Sequence, residues 1–594
     1  MCRIVGRVGR ELGHDFSDGL KLMLKAVAHG GPDDEGIYSD GAVVLGHRRL
    51  SIIDLSKAGH QPMMTESLEV AISFNGEIYN YLELKKELVK EGYSFRTNTD
   101  TEVILQAYLH WGIKSFDKLE GIFAFALHDK KQELFYLVRD HIGVKPLYYF
   151  VDEKELIFAS EVRAFKALRN DWKQNEDWKI LFLAFGSIPH PYTTLEGVVQ
   201  IPPGSYLELD LKKFSYRVKF YYQFHNLDYS THSKAETLIQ MQFSSRKAIR
   251  KNLIADAPLG IFLSGGIDSS LITLLADQFA SHVKTISVNF DDASYDEYPF
   301  QKMVLEKTKY VEHIAHRVTE QMFWEQLDDI WQAMDQPSID GVNTYFITRC
   351  AKNDGIKAVL SGLGADEIFG GYLSFSRINL MRMLRRLPWK KLLSRMLSRV
   401  RKSWGRLVYL EVPGSIGDYL FLRGIFTPDE IAALLKVSPN TVQEVLQKVP
   451  FAKPVKINDE EYASLLETGI YMSNQLLKDT DYMGMWHGVE VRVPFLDIEL
   501  LKKVHAIPPA IRYDKAWPKF LLSASNEKLL PREIIFRKKK GFTFPFDLWM
   551  KRSSKRFRAL MPVGNETDLV AEDFKNGHCH WSKCWSLAVL QQFR

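Results

Sequence analysis

The first two hundred residues alternate short apolar runs with turn-forming positions. "GAVVLGHRRLSII" starts at Gly41, "LEVAISFNGEIYN" at Leu68 and "ELFYLVRDHIGVKPLYYFVDEKELIFAS" at Glu133. Runs of this length, rich in β-branched and aromatic residues and bounded by glycine, proline and aspartate, predict strands. Helical spacing intervenes over 81–91 and 101–111. After Pro202, Pro203 and Gly204 the grain changes: an amphipathic helix, the apolar strand "LGIFL", a glycine turn, the helix "SSLITLLADQFA", the strand "VKTISVNF", a further helix and the strand of "KAVLSGLG". Strands alternating with helices imply βαβ units and a parallel sheet covered on both faces. Beyond about residue 415 the pattern is mostly helical. The expectation is an α+β domain over residues 1–210, a linker over 211–235, and an α/β domain with a helical C-terminal part over 236–594.

A chain of 594 residues exceeds what one core supports, since single cores stop growing near roughly 250–300 residues. Hydrophobic content of 46% with 25% charged residues excludes a disordered or collagen-like class. Cys2, Cys350, Cys579 and Cys584 are too few and too scattered for a disulfide framework, which favours a reducing compartment. No apolar signal-peptide core opens the chain and no long uncharged stretch follows, so the expected location is cytoplasmic. The net charge of +5 points to no nucleic-acid partner, because it is concentrated. Residues 377–406, "RINLMRMLRRLPWKKLLSRMLSRVRKSWGR", hold eleven Lys or Arg and no acid. Apolar residues recur there at helical spacing on both sides of Pro388. This reads as two helices with a solvated basic face, or as a contact for an anionic surface.

"IFLSGGIDSSLITLLA", Ile261 to Ala276, carries the most chemistry. A strand ends at Leu263, Ser264-Gly265-Gly266 turns, and Ser269-Ser270 open a helix. Glycines let backbone N–H groups approach an anion, and the helix N-terminus adds partial positive charge. The loop reads as a phosphate cradle, with a ligand-free strand-to-helix turn as the alternative. The spacing and lysine of a Walker A loop are missing. "LSGLGADEIFGGY", Leu360 to Tyr372, again sets a strand before glycines and an acidic pair.

The first of these stretches resembles the pyrophosphate loop of the ATP pyrophosphatase superfamily, whose members cleave ATP to AMP and pyrophosphate while adenylating an oxygen. The resemblance implies ATP and Mg2+ as cofactors. Ser264, Gly265, Gly266, Ser269 and Ser270 would hold pyrophosphate, Asp268 and Asp366 would bind magnesium, and Leu263, Val288, Ser361 and Gly362 would complete the nucleotide site.

Nearly end to end, the chain resembles the glutamine-hydrolysing asparagine synthetase family, an N-terminal-nucleophile (Ntn) glutaminase followed by an adenylating synthetase. The motifs that carry the likeness are "GGPDDEG" (30–36), "LGHRRLSIIDLSKAGHQPM" (45–63), "FNGEIYN" (74–80), "TNTDTEV" (97–103), "LEGIFAFALHD" (119–129), "RDHIGVKPLYY" (139–149), "FASE" (158–161), "LLKDTDYMGMWHGVEVRVPFLD" (476–497), "WPKFLL" (517–522) and "RKKKGFTFPFDLW" (537–549). It implies that Cys2, freed of Met1, is the nucleophile and its α-amine the base. It also implies that Arg49 clasps the glutamine carboxylate, that Glu77 and Asp100 take its ammonium, and that Asn75 and Gly76 form the oxyanion hole. Lys519 would stabilise charge at the adenylate. The implied partners are glutamine, a carboxylate acceptor such as aspartate, and a second copy in a homodimer.

Three positions depart from that family. Arg3 follows the cysteine where the family has glycine, and Gly30 stands for arginine in "HGGPD". A side chain at Arg3 is expected to crowd a backbone conformation that glycine permits; an impaired glutaminase with free ammonia as nitrogen source is the alternative to the active one expected here. Leu363 replaces a glutamate and can neither bind ammonium nor act as a base. This puts aspartate in question and raises a sugar uronate of surface polysaccharide synthesis as the alternative acceptor. An ammonia-only or non-catalytic relative is the reading from another class.

Overall fold

The computed structural model of the protein describes residues 2–9, 16–223, 229–400, 402–451, 457–541 and 544–594. Its N-terminal half is a stack of two six-stranded sheets. The first sheet runs Val199–Gln200, Tyr148–Val151, Glu155–Ala159, Cys2–Gly9, Val43–Arg49, Asp34–Asp40 from edge to edge; the second runs Ser215–Phe220, Ser205–Asp210, Leu134–Arg139, Gly121–Asp129, Val70–Ile78, Met63–Met64. Ile4, Val8 and Leu45 of the first sheet pack on Ala71, Ala124, Phe135 and Leu137 of the second. The outer faces are covered too. Helix Phe16–Ala26 lays Leu20, Met23 and Leu24 on Val5 and Val44. Helices Tyr81–Lys90 and Asp100–Trp111 lay Leu84, Leu88, Ile104 and Tyr108 on Ile72 and Phe74. Val70–Ile78 is buried at every position: Ile72, Phe74 and Ile78 face the helices, while the alternating Ser73, Asn75 and Glu77 lie on the other face.

Period-two geometry decides what surrounds the second residue. Along Cys2–Gly9, Cys2, Ile4 and Val8 face the opposite sheet, while Arg3 and Val5 face away from it. Gly6 lies on the inner side, where a Cβ would stand 2.4 Å from the Phe158 ring. The hairpin of Ser205–Asp210 and Ser215–Phe220 pairs over its whole length. The second sheet therefore continues through the stretch read from sequence as the start of a linker at 211. The next helix, Lys234–Asn252, begins under a capping box of Ser233 and Glu236. Residues 224–228 of the expected linker lie outside the described residues.

The C-terminal half is built on a five-stranded parallel sheet in the order Val311–Arg317, Val283–Asn289, Leu259–Phe262, Ala358–Leu360, Glu490–Arg492. The chain lays strands on one side of Leu259–Phe262 and then returns to its other side. Such a reversal opens a crevice at the carboxyl ends of the strands, where α/β proteins bind ligands. Both glycine loops leave the sheet at that crevice. Glu490–Arg492 interrupts an otherwise helical region; three residues are too short a run for periodicity to reveal.

Candidate active sites

The two sheets of the N-terminal half bring the first strand against Val70–Ile78, and the Cys2 N–H donates to Asn75 Oδ1 at 3.1 Å. That bond leaves Asn75 Nδ2 buried and without a hydrogen-bond partner. Gly76 follows with φ +151°, and a Cβ there would stand 2.1 Å from the Ile122 carbonyl oxygen. Only glycine fits there, next to the Asn75 side-chain amide. Cys2 is 6% exposed, and burial raises its thiol pKa above the ordinary value. Left to itself the sulfur stays protonated and needs a base. Met1, whose removal would supply that base, lies outside the described residues.

Arg49 is paired with Cys2 across the antiparallel strands. Its guanidinium donates to the carbonyls of Asp54 at 2.5 Å and Ser56 at 2.9 Å, and a Cβ at Gly59 would stand 1.9 Å from Nη2. The loop is built around this arginine. Cys2, Arg49, Gly76, Glu77 and Asp100 line one small pocket, with Asn75 behind it. Burial pushes Asp100 up to about 6 and raises Glu77, with Glu490 adding to it. Two desolvated carboxylates held above their ordinary pKa values suit the arrival of a cationic group.

Arg3 points the other way, into the junction of the two halves. Its Nε donates to Glu161 at 2.5 Å and its Nη1 to Asp481 at 2.6 Å, and Lys145 Nζ meets the other Asp481 oxygen at 3.1 Å. Asp481 lies on helix Leu477–Trp486 of the C-terminal half. A Cβ on Gly30 would stand 2.7 Å from Arg3 Cγ. The two departures near the nucleophile are thus one arrangement: the absence of a side chain at residue 30 is what makes room for the one at residue 3. The expected crowding of the backbone at residue 3 does not occur: Arg3 sits in a regular strand without a positive φ, and its side chain lies on the face opposite Cys2.

Removing Arg3 alone would leave Glu161 and Asp481 buried with fewer partners. A broken buried pair costs about 3–5 kcal/mol, but His29, Arg163 and Lys145 remain, so Arg3→Gly should cost nearer ~2 kcal/mol. The double exchange Arg3→Gly with Gly30→Arg should recover at least half of the lost thermal stability and of the glutaminase kcat/KM. A double variant no better than Arg3→Gly would show that the two positions are independent.

At the crevice of the parallel sheet, Gly265 takes φ +70° and helix Ile267–Ala276 begins immediately after Gly266. Ser264 and Ser269 hydroxyls meet at 3.1 Å. From the second loop, Asp366 heads helix Ala365–Phe369. The two aspartates converge on one ammonium: Lys519 Nζ lies 2.5 Å from Asp268 and 2.7 Å from Asp366, and Lys539 Nζ lies 2.7 Å from Asp366. Gly371 permits this approach, since a Cβ there would stand 1.7 Å from Asp366 Oδ1. Although burial opposes ionisation, Lys519 and Lys539 hold the Asp366 carboxyl down to about 2. Against its own burial, Asp268 and Asp366 hold the Lys519 ammonium above the ordinary lysine value. Lys519 itself has φ +49°, a left-handed conformation that non-glycine residues adopt at a cost and that clusters at functional sites.

These groups line a cavity of about 430 Å3, within the range of small-molecule sites. Leu263, Ser264, Gly266, Asp268, Ser269, Ser361, Gly362, Asp366 and Lys519 reach its wall. Three expected residues do not. Gly265 turns its carbonyl to Arg537 at 3.0 Å, Ser270 is fully buried behind the loop, and Val288 packs in the core. Lys539, Arg537 and the buried Glu367, bonded to the Tyr372 hydroxyl at 2.8 Å, were not singled out from sequence. Lysines in the run "RKKKG" look alike until the fold turns one of them inward.

Comparison with known proteins then places the chain. A glutamine amidotransferase domain model matches residues 1–222 and an asparagine synthase model matches residues 245–571. The chain belongs to the asparagine synthase family. It is 30% identical over 572 residues to the glutamine-hydrolyzing asparagine synthetase 1 of Bacillus subtilis (strain 168), covering 93% of this chain and 88% of that protein. A putative glutamine-hydrolyzing asparagine synthetase 2 of Methanocaldococcus jannaschii is 35% identical over 416 residues, 65% of this chain and 79% of that one. The relative named amidase chry2, from Gibberella zeae, is 29% identical over 594 residues, 89% and 85%. As a family member the chain is a glutamine-dependent, ATP-driven amidating ligase, a glutamine amidotransferase domain followed by an asparagine synthase domain.

Proposed function

We propose that Cys2 attacks the side-chain amide of glutamine, that the released ammonia crosses the interior, and that it is captured by a carboxylate activated as an acyl-adenylate at the Asp268–Asp366–Lys519 cluster. The observation that carries this reading is the convergence of both aspartates on one lysine at the switch-point crevice. With Met1 removed, the Cys2 nitrogen, held by Asn75, becomes an amine placed to accept the thiol proton. Asn75 Nδ2 and the Gly76 N–H then meet the oxyanion, Arg49 takes the glutamine carboxylate, and Glu77 and Asp100 take its ammonium.

A small void of about 10 Å3 is lined by Val144, Met485, Val489, Val491 and Val493 together with Lys145, Thr480 and Asp481. Val491 and Thr480 also belong to the wall of the nucleotide cavity. On a route through here the valine and methionine side chains would suit neutral ammonia, and the charged part of the wall is the Lys145–Asp481 pair, 3.1 Å apart. Arg492, between the lining residues Val491 and Val493, has its Nη2 3.5 Å from Glu77.

The carboxylates fit Mg2+. Asp268 Oδ1 is buried without a hydrogen-bond partner, and the Lys519 ammonium stands between the two acids where a cation would. No cluster of three or more metal-ligating side chains occurs among the described residues, so nucleotide phosphates would complete the coordination of an ion held by Asp268 and Asp366. Bound there, Mg2+ would neutralise charge on the departing pyrophosphate. Lys519 would then be released toward the α-phosphate.

Leu363 lines the same cavity. An aspartate acceptor brings an α-ammonium that this apolar side chain cannot partner, so the reading favours a carboxylate lacking that group, such as a sugar uronate. The relative named amidase shows that chains at this distance carry names other than asparagine synthetase. An acceptor screen following pyrophosphate should find uronic-acid sugars more active than aspartate, and Leu363→Glu should raise turnover of aspartate. Aspartate as the best acceptor of the wild-type chain would return the assignment to asparagine formation.

A further inference from the structure

The basic segment forms two helices, Leu373–Arg385 and Lys390–Val400, that meet at Pro388. The first is apolar on two sides. Ser374, Ile378 and Met381 are buried against the body of the protein, which accounts for one stripe. Leu373, Leu380, Met383 and Leu387 form a second stripe at spacings of seven, three and four residues, facing solvent at 66%, 42%, 68% and 41% exposure. Trp389, just before the second helix, and Leu392 and Met396 on it are exposed as well, at 76%, 52% and 59%. A soluble surface scatters such side chains singly; a contiguous stripe marks an interaction site.

The charge around the stripe selects its occupant. Residues 377–406 carry eleven basic residues and no acid. Arg382 and Arg385 are turned to Asp459 and Asp418 of the protein body, while Arg377 and Arg386 are exposed. A second copy docking through the same patch would set this positive surface against itself, because a two-fold contact is self-complementary. A partner must instead be anionic and accept exposed Leu, Met and Trp side chains. Amphipathic helices with basic flanks and an interfacial tryptophan meet those terms at a lipid headgroup layer. No described helix is long and apolar enough to cross a membrane, so the contact lies on the surface.

We propose that this helical pair docks the protein on an anionic phospholipid bilayer. The first helix starts at the residue after Tyr372, which lines the nucleotide cavity, so docking sets that cavity close to the membrane face. The inference stands whether or not the acceptor is a uronate.

The test is co-sedimentation of the full chain with vesicles. Phosphatidylglycerol–phosphatidylcholine vesicles at low salt should retain the protein, and pure phosphatidylcholine should not. Raised salt should weaken retention about tenfold, as expected when several basic residues contribute. Met383→Glu with Trp389→Glu should release the protein while pyrophosphate formation in solution is unchanged. Leu392→Glu with Met396→Glu provides a second, independent disruption. Absence of retention on anionic vesicles at low salt overturns the proposal, as does equal retention of both double variants. A wild-type dimer in solution that both variants convert to monomer would assign the stripe to a second copy instead.

Discussion

Replacing Cys2 by alanine should abolish glutamine-driven turnover and leave ammonia-driven pyrophosphate release intact. Among the described residues, the pocket at Cys2 has that one sulfur and no histidine on its wall, and Asn75 accepts from the Cys2 N–H. Without the thiol, no other group there can form the acyl intermediate, and loss of a nucleophile costs on the order of 10^4-fold or more. The cavity at the parallel-sheet crevice, where adenylation is proposed, shares none of these residues, so ammonia added to the medium should replace the missing supply. Measuring glutamate and pyrophosphate in parallel checks this. Residual glutaminase activity within tenfold of wild type would place the chemistry elsewhere. A parallel loss of the ammonia-driven reaction would show that the halves cannot act separately.

Lys519→Met should lower pyrophosphate release about 10²–10³-fold, the loss typical of removing one preorganised charge from a developing oxyanion. A structural effect adds to it. The ammonium now separates Asp268 from Asp366, and removing it leaves two buried carboxylates facing each other, which raises the proton affinity of at least one. The metal affinity of the variant should therefore become more strongly dependent on pH, falling as pH drops, since a protonated carboxyl does not ligate. Lys519→Arg keeps the charge but spreads it over a planar group, so it should restore stability more than rate. Pyrophosphate release of Lys519→Met within a few-fold of wild type would remove the lysine from the chemistry.

Much of the architecture was legible because hydrophobic periodicity reports burial directly. The Ile261–Ala276 stretch declared a strand, a glycine turn and a helix start, and the structure has Leu259–Phe262, a positive φ at Gly265 and a helix from Ile267. The hairpin through Phe220 was less legible. Its outer strand is largely exposed, so polar residues there looked like a connector. Position 3 could not be judged from sequence at all. Whether an arginine beside a nucleophile crowds it depends on which face of a strand it occupies and on what lies opposite, here Gly30 and Asp481, one 27 residues and the other 478 residues away along the chain.

By itself the sequence determined the order of the two domains, the residue types available for each chemistry and the absence of a glutamate at position 363, because these depend on composition and local spacing. Tertiary structure decided which of those residues act together. It turned Ser270 and Val288 into the core, brought Lys539 to Asp366, and set Arg3 across the domain junction. Charges and hydrogen bonds act over a few ångströms, and only folding brings distant parts of the chain within that range.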